Sequence, residues 1–453
     1  MVNFLQRRLL TTLAIGVVAA AAIVTLRARR SAEPTASSPS ASSLSAAAPP
    51  PSSPSPRGPV TVSLYDDGSP LADRWVVFHD ATGAVLTEVK SNKEGKASAD
   101  VPRDAMVTVA YGTSIYQLVT VTGVQIGDAL VVGELEDEGE AARVVTTARV
   151  KLPGAYKNAA RYTVSLGVGA TEVPKLSEPL PVPVAKRFVV DGRKFRVLGE
   201  ALDARGEPLA YSLDWGNLPK ADVRLPAWST AFRELTLVLS GLTDGMTAVD
   251  ADLAIVANEN DRFERQRRAI PLAEDTSLRF SVPRALPGNV TYRLEFSYGA
   301  SPDKSVFSQN VASITDTTPI RLRESLLPRV SSATVEPTEN AARPTIGYHV
   351  AGDASQADVA IVRFTWPETR EHIWTILSAP SASPRVRLPE LPAHLKDWQP
   401  ARGAATAAAA LVEASFYSGF DEVRHKGIGE ISEDPKSDEP RSFRYSATGD
   451  ISF

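Results

Sequence analysis

From Pro59 onward, short runs with apolar or β-branched residues at every second position are interrupted by Gly, Pro, Asn and Asp. Val60-Thr61-Val62-Ser63-Leu64-Tyr65 is one such run. Arg161-Tyr162-Thr163-Val164-Ser165-Leu166, Glu234-Leu235-Thr236-Leu237-Val238-Leu239, Tyr292-Arg293-Leu294-Glu295-Phe296 and Asp358-Val359-Ala360-Ile361-Val362-Arg363-Phe364 are others. Period two is the signature of a strand with one face in a core and the other in water. The breaks recur about every ten residues, the spacing of antiparallel sandwiches and barrels. The 34 prolines add a second constraint, because a proline inside a helix removes a hydrogen bond and clashes with the preceding turn. The one helix-friendly stretch, residues 404–413, is rich in Ala; residues 412–417 read as strand, and we expect residues 407–417 to form one long strand.

The run from Leu9 to Leu26 carries no charge and is flanked by Arg7 and Arg8 on one side and Arg27, Arg29 and Arg30 on the other. As a helix it would span roughly 27 Å, about the thickness of a hydrocarbon core. It is longer than a usual secretory apolar region and is followed by Arg27-Ala28-Arg29-Arg30, a poor peptidase context. We expect a retained single-pass anchor with the C-terminal bulk extracytoplasmic, periplasmic or at the cell surface; the alternative is a secreted protein after signal cleavage. The sequence contains no Cys, which removes disulfides, a lipidated cysteine and thiolate chemistry together. A net charge of −4 offers no general attraction to nucleic acid, and none is expected as a partner. Residues 31–58 are almost wholly Ser, Ala, Pro and Thr, a composition with nothing to bury, and are expected to be a disordered spacer.

The expected fold class is all-β, with tandem Ig-like or fibronectin-like β-sandwich domains after an N-terminal membrane helix and a disordered linker. The expected boundaries are an anchor at residues 1–30, the linker at 31–58, sandwiches at 59–122, 123–240, 241–328 and 329–430, and a polar tail at 431–453. The first sandwich contains Gly68-Ser69-Pro70-Leu71, a turn at Gly95-Lys96, and Val101-Pro102 ahead of a strand at Met106. On these motifs residues 60–121 resemble the carboxypeptidase regulatory-like (transthyretin-like, bacterial Ig-like) sandwich family. Arg103-Asp104-Ala105-Met106 stands where that family usually carries an aromatic residue. The resemblance implies an accessory or spacer module and no activity. An internal echo also recurs, a strand ending in Pro, at Val150-Lys151-Leu152-Pro153, Phe280-Ser281-Val282-Pro283 and Val386-Arg387-Leu388-Pro389.

Chemistry-bearing residues are scattered. His79, His349, His372, His394 and His425 show no metal-ligand spacing. The most suggestive cluster is Glu368, Glu371, His372 and Trp374, since a carboxylate beside an imidazole supports proton transfer; a solvated strand edge accounts for it equally well. Asp250, Asp252, Asn258, Glu259, Asn260 and Asp261 form an acidic stretch with oxygen donors of the kind calcium takes, in a spacing that matches no calcium loop, and Arg262, Arg265, Arg267 and Arg268 follow at once. Trp366, Trp374 and Trp398 fall in the last sandwich, where indoles serve as core anchors more often than as sugar platforms. We therefore expect no catalytic, cofactor-binding or metal-ligating residues and no enzyme. The expected role is structural or interactive in a bacterial cell envelope. The membrane is contacted through Leu9 to Leu26, and an envelope protein or a glycan is the further partner. The alternative is an envelope hydrolase with its site in the last module.

Overall fold

The computed structural model describes residues 56–66, 68–111, 116–133, 143–166, 170–243, 245–258, 261–286, 288–311, 317–336, 343–367, 371–381, 385–400, 405–427, 441–448 and 451. The expected membrane run, nearly all of the Ser/Pro spacer, Glu368, Glu259, Asn260 and most of the polar tail lie outside them. The fold is all-β, with three groups of strands that repeat one sandwich topology and a fourth that varies it.

The first group is β1 (Arg57–Asp66), β2 (Ser69–Pro70), β3 (Trp75–His79), β4 (Val85–Lys90), β5 (Lys96–Pro102), β6 (Ala105–Tyr111), β7 (Tyr116–Val124) and β8 (Ala129–Val132). β1 pairs antiparallel with β5 and parallel with β8, while β4-β3-β6-β7 form the facing sheet. The alternation in the sequence sets which side chains meet between the sheets. Val60, Val62 and Leu64 of β1 pack with Val76 and Phe78 of β3 and Val107 and Val109 of β6. Each such side chain, removed from water, stabilises the fold by about 1.5–3 kcal/mol.

With the strands of a sandwich lettered A to G, A pairs with D and G in one sheet, and C-B-E-F make the other. The second group follows the same plan with β9 (Val144–Lys151), β10 (Arg161–Ser165), β11 (Ala170–Glu172), β12 (Leu180–Ala185), β13 (Lys194–Leu202), β14 (Pro208–Asn217) and β15 (Asp222–Arg224). The third is β16 (Phe232–Ser240), β17 (Ala248–Asn258), β18 (Asp261–Pro271), β19 (Thr276–Pro283), β20 (Asn289–Ser297), β21 (Lys304–Val311) and β22 (Thr317–Arg321). In both groups A runs antiparallel to D and parallel to G. The fourth is β23 (Arg329–Glu336), β24 (Thr345–Ala351), β25 (Val359–Pro367), β26 (Glu371–Ser378), β27 (Arg385–Arg387), β28 (Thr406–Ala414) and β29 (Ser442–Thr448). Here β24 takes the A position beside β27, and β23 lies antiparallel on the flank that a parallel G strand occupies elsewhere.

The modules are consecutive in sequence but not in space. The C-B-E-F sheets of the third, fourth and first modules fuse into one 12-stranded sheet, β18-β17-β20-β21-β29-β28-β25-β26-β7-β6-β3-β4. Two edge-to-edge joints make it. F of the third module pairs antiparallel with F of the fourth (β21–β29), and C of the fourth pairs in parallel with F of the first (β26–β7). The fourth module thus stands between the other two. Its sheet is covered on both faces. Ala360, Val362, Phe364, Ala409 and Leu411 face its own β24 layer, whereas Val359, Ile361, Ala410 and Val412 join the core of the first module.

Burial on both faces explains the Ala-rich stretch. A strand with two dry faces reads as a continuous apolar run and loses the period-two signal. β28 spans Thr406–Ala414, and a turn at Ser415 and Phe416 stops it short of the expected end at residue 417. The second module keeps a separate sheet, β11-β10-β13-β14, whose Leu198 and Tyr211 pack into the core of the third module.

Candidate functional site

The cluster around His372 is a packed interior. His372 on β26 is 1% exposed and stacks on Trp366, with ring centroids 4.9 Å apart, and on Tyr116 at 4.7 Å. Trp398 packs edge-on against Tyr116, with ring centroids 4.8 Å apart. Trp366 and Trp374 are buried, so two of the three indoles anchor the core and present no stacking platform to a sugar. Glu371 and Glu368, the carboxylates proposed to assist His372, have no described side chain.

The remaining histidines are dispersed. His349 contacts Ser331 at 3.0 Å and lines an open depression of about 300 Å³ with Thr334, Glu336, Tyr348 and Arg385. His394 packs on Trp75 at 4.4 Å and lies 3.6 Å from Glu88, and His425 meets Asp128 at 3.1 Å. Among the described residues no group of three or more His, Asp or Glu is placed to hold a metal ion. Nor, among them, is any helix long and apolar enough to cross a membrane.

The acidic stretch that invited a calcium reading is a hairpin, with Asp250 and Asp252 inside β17. Their spacing of two puts both on one face of the strand. Asp250 accepts a hydrogen bond from the Ala269 backbone N–H at 2.6 Å, and Asp252 lies 3.8 Å from Arg293. Arg293 also pairs with Glu295 at 3.0 Å, and Lys304 reaches Glu295 at 2.9 Å. Burial works to raise the Glu295 carboxyl, but Lys304 and Arg293 outweigh it and hold the group below the usual carboxylate range. These acids are engaged in cross-strand pairs. Arg267, one of the arginines that follow them in sequence, pairs with Glu207 of the second module, donating from Nη2 to Oε2 at 2.7 Å.

The joints between modules carry buried polar contacts. At the first–fourth joint a hydrogen-bonded chain runs through the buried interior. His79 Nε2 meets Thr108 Oγ1 at 2.9 Å, Thr108 meets Thr120 at 2.9 Å, and the Trp374 indole N–H donates to Thr120 Oγ1 at 2.8 Å. Burial, aided by the nearby Arg343 guanidinium, pulls the His79 imidazole down from 6.5 to about 4, so it is neutral at pH 7.

Around this chain, cations of the fourth module fasten to carbonyls of the first. Arg343, 7% exposed, donates to the Thr82 and Leu388 carbonyls and pairs with Glu390 at 2.7 Å. The Glu390 N–H donates to the Gly83 carbonyl at 2.8 Å. Arg424, on the seven-residue helix Phe420–Lys426, donates to the Gly123 carbonyl and pairs with Asp128 at 2.9 Å. At the third–fourth joint Arg329 pairs with Asp303 at 2.6 Å and lies 4.2 Å from the Tyr298 ring centre. Sequence reasoning missed Arg343, Arg424 and Arg329. A lone Arg between strands carries no local pattern, and its partners are distant in sequence.

By fold the chain is an all-β protein of repeated sandwich modules. No family model matches it, and no curated protein does. Among solved structures, the Bacillus anthracis TIE protein aligns over 59% of this chain and 50% of that chain, at 10% identity and a TM-score of 0.15. The chain thus matches about half the length of that protein. A mutant of the shaft pilin SpaA from Lactobacillus rhamnosus GG aligns over 59% of this chain and 97% of that chain, at 9% identity and a TM-score of 0.11. Scores this low carry no argument about ancestry or role.

Proposed function

We propose that this chain is a non-enzymatic structural or interaction protein of a bacterial-type cell envelope. The run from Leu9 to Leu26 anchors it in a membrane, the Ser/Pro spacer at residues 31–58 carries it clear of the surface, and the sandwich modules are presented beyond. The partner is another envelope protein or a glycan. The first module is a carboxypeptidase regulatory-like sandwich serving as an accessory unit.

One observation carries this reading. Buried polar groups tie the modules together: Trp374 donates to Thr120, Arg343 to the Thr82 carbonyl and Arg424 to the Gly123 carbonyl, Arg329 pairs with Asp303, and His79 and Thr108 extend the first of these contacts into the first module. A protein that spends its buried polar groups on internal joints is built to hold a shape. The hydrolase alternative needs His372 to meet a substrate, and that ring is enclosed by Trp366 and Tyr116.

The test is fractionation of cells producing the full chain, followed by chemical cross-linking on intact cells. The expected result is recovery with membranes, sensitivity of the modules to externally added protease, and one cross-linked envelope partner. Recovery in the cytosolic fraction would overturn the placement. Turnover of an envelope polymer by the purified chain would overturn the non-enzymatic role.

A further inference from the structure

Every sandwich in this chain has an F strand at the edge of its larger sheet, and three of the four F edges are closed by another module. β21 and β29 close each other, and β7 is closed by β26. The fourth is β14, in the second module, which lies at the end of the sheet β11-β10-β13-β14. One point on its free side is satisfied, where Tyr211 and Ser229 exchange backbone hydrogen bonds. Hydrogen-bonding direction alternates along a strand, so Leu213, Trp215 and Asn217 aim their backbone N–H and C=O the same way as Tyr211, away from β13. No strand pairs with that stretch among the described residues.

The side chains there are unusual for a solvent edge. Trp215 is 37% exposed and lies 4.5 Å from the Arg196 guanidinium on the neighbouring strand. Its backbone N–H, lacking a strand partner, is accepted by the Asp214 carboxylate at 2.8 Å. The two ends of the 12-stranded sheet differ. β18 carries two register shifts and Arg267, which turns back across the sandwich to the Arg279 carbonyl; β4 is six residues long and ends in Lys90. Bulges, short strands and edge lysines are the devices that stop a sheet from growing.

We propose that the β14 edge is a self-association surface, and that its occupant is β14 of a second copy, paired antiparallel about a twofold axis at Trp215. Like pairs with like at this edge already within one chain, since β21–β29 is an antiparallel F–F joint. The sequence is self-complementary in that register. Trp215 faces Trp215, Leu213 faces Asn217, and Asp214 faces Gly216, so no carboxylate opposes another. The outward-pointing residues coincide, and the two indoles form a cross-strand aromatic pair, a favoured partner on a sheet face. The surface does not depend on where in the cell the protein resides.

The absence of native Cys gives a clean test, because any introduced thiol is unique. In this register residues 213 and 217 of opposite copies are hydrogen-bonded neighbours about 5.5 Å apart, within disulfide reach. Within one copy they are about 13 Å apart and cannot bridge. The full chain in mild detergent is followed by sedimentation, and Leu213→Cys/Asn217→Cys, Leu213→Cys alone and Val85→Cys are oxidised and run under non-reducing conditions. The expected result is a concentration-dependent dimer and a covalent dimer from the double variant only. Trp215→Pro removes an outward N–H and the indole without touching the β13 pairing, and is expected to raise the dimer dissociation constant by more than about tenfold while circular dichroism stays unchanged. A chain that remains monomeric at every concentration, with no cross-link from the double variant, overturns the proposal. So does a dimer unaffected by Trp215→Pro that cross-links through Val85→Cys, which would place contact at β4.

Discussion

His79 makes the first–fourth joint acid-sensitive by an amount that follows from its burial. The imidazole, 0% exposed, titrates at about 4 in the folded chain against an ordinary 6.5. Burial is the larger cause and Arg343 the second, while Asp80 and a backbone group of Gly83 oppose them. The unfolded chain therefore takes up the proton first on acidification. Stability from this group is complete above pH 6.5, falls as pH drops from 6.5 to about 4, and is flat below. A difference of about 2.5 units corresponds to about 3 kcal/mol, since each unit is about 1.4 kcal/mol. The assay is urea unfolding followed by Trp fluorescence, because Trp374 belongs to the same hydrogen-bonded chain. Curves taken across this window for the parent chain and for His79→Gln cancel every carboxylate they share. The amide of Gln keeps a donor and an acceptor for Thr108 without titrating. The parent is expected to lose about 3 kcal/mol more than the variant between pH 6.5 and 4. Parallel curves, or an imidazole resonance titrating near 6.5 in the folded protein, would refute the assignment of His79 as a buried neutral group.

Asp303→Ala removes the carboxylate that pairs with the partly exposed Arg329 at the third–fourth joint and is expected to cost about 1.5–3 kcal/mol, read as a fall in the urea midpoint. Gly216→Ala places a methyl group 2.1 Å from the Phe195 ring and should destabilise the second module by about 1–3 kcal/mol, an effect that Phe195→Leu in the same chain should partly relieve on thermal melting. Ala410→Leu inserts bulk where β28 meets the core of the first module and is expected to cost about 1–3 kcal/mol and to raise the protease sensitivity of the first module.

Much of the architecture was legible in the chain because the relevant physics is local. Val60, Val62 and Leu64, Leu235, Leu237 and Leu239, and Leu278, Phe280 and Val282 sit in cores where a period of two puts them. Trp366 and Trp374 are the buried anchors their type suggests. The strand through the alanines of residues 407–412 was legible only against its helix propensity, since two-sided burial had erased the alternation. The strand character of the acidic stretch was not legible, because Asp and Asn suit turns, while here Asp250 and Asp252 face Ala269 and Arg293 from within a strand. Arg343 and Arg424 left no trace at all.

From the amino-acid order alone came the strands, their buried faces and the all-β class. Tertiary structure alone decided which edges meet: that the fourth module stands between the third and the first, that β26 lies parallel to β7, and that β14 is left open. The reason is that side-chain pattern selects a face, whereas edges join through backbone N–H and C=O groups common to every residue, so nothing in the composition of a strand records its neighbour.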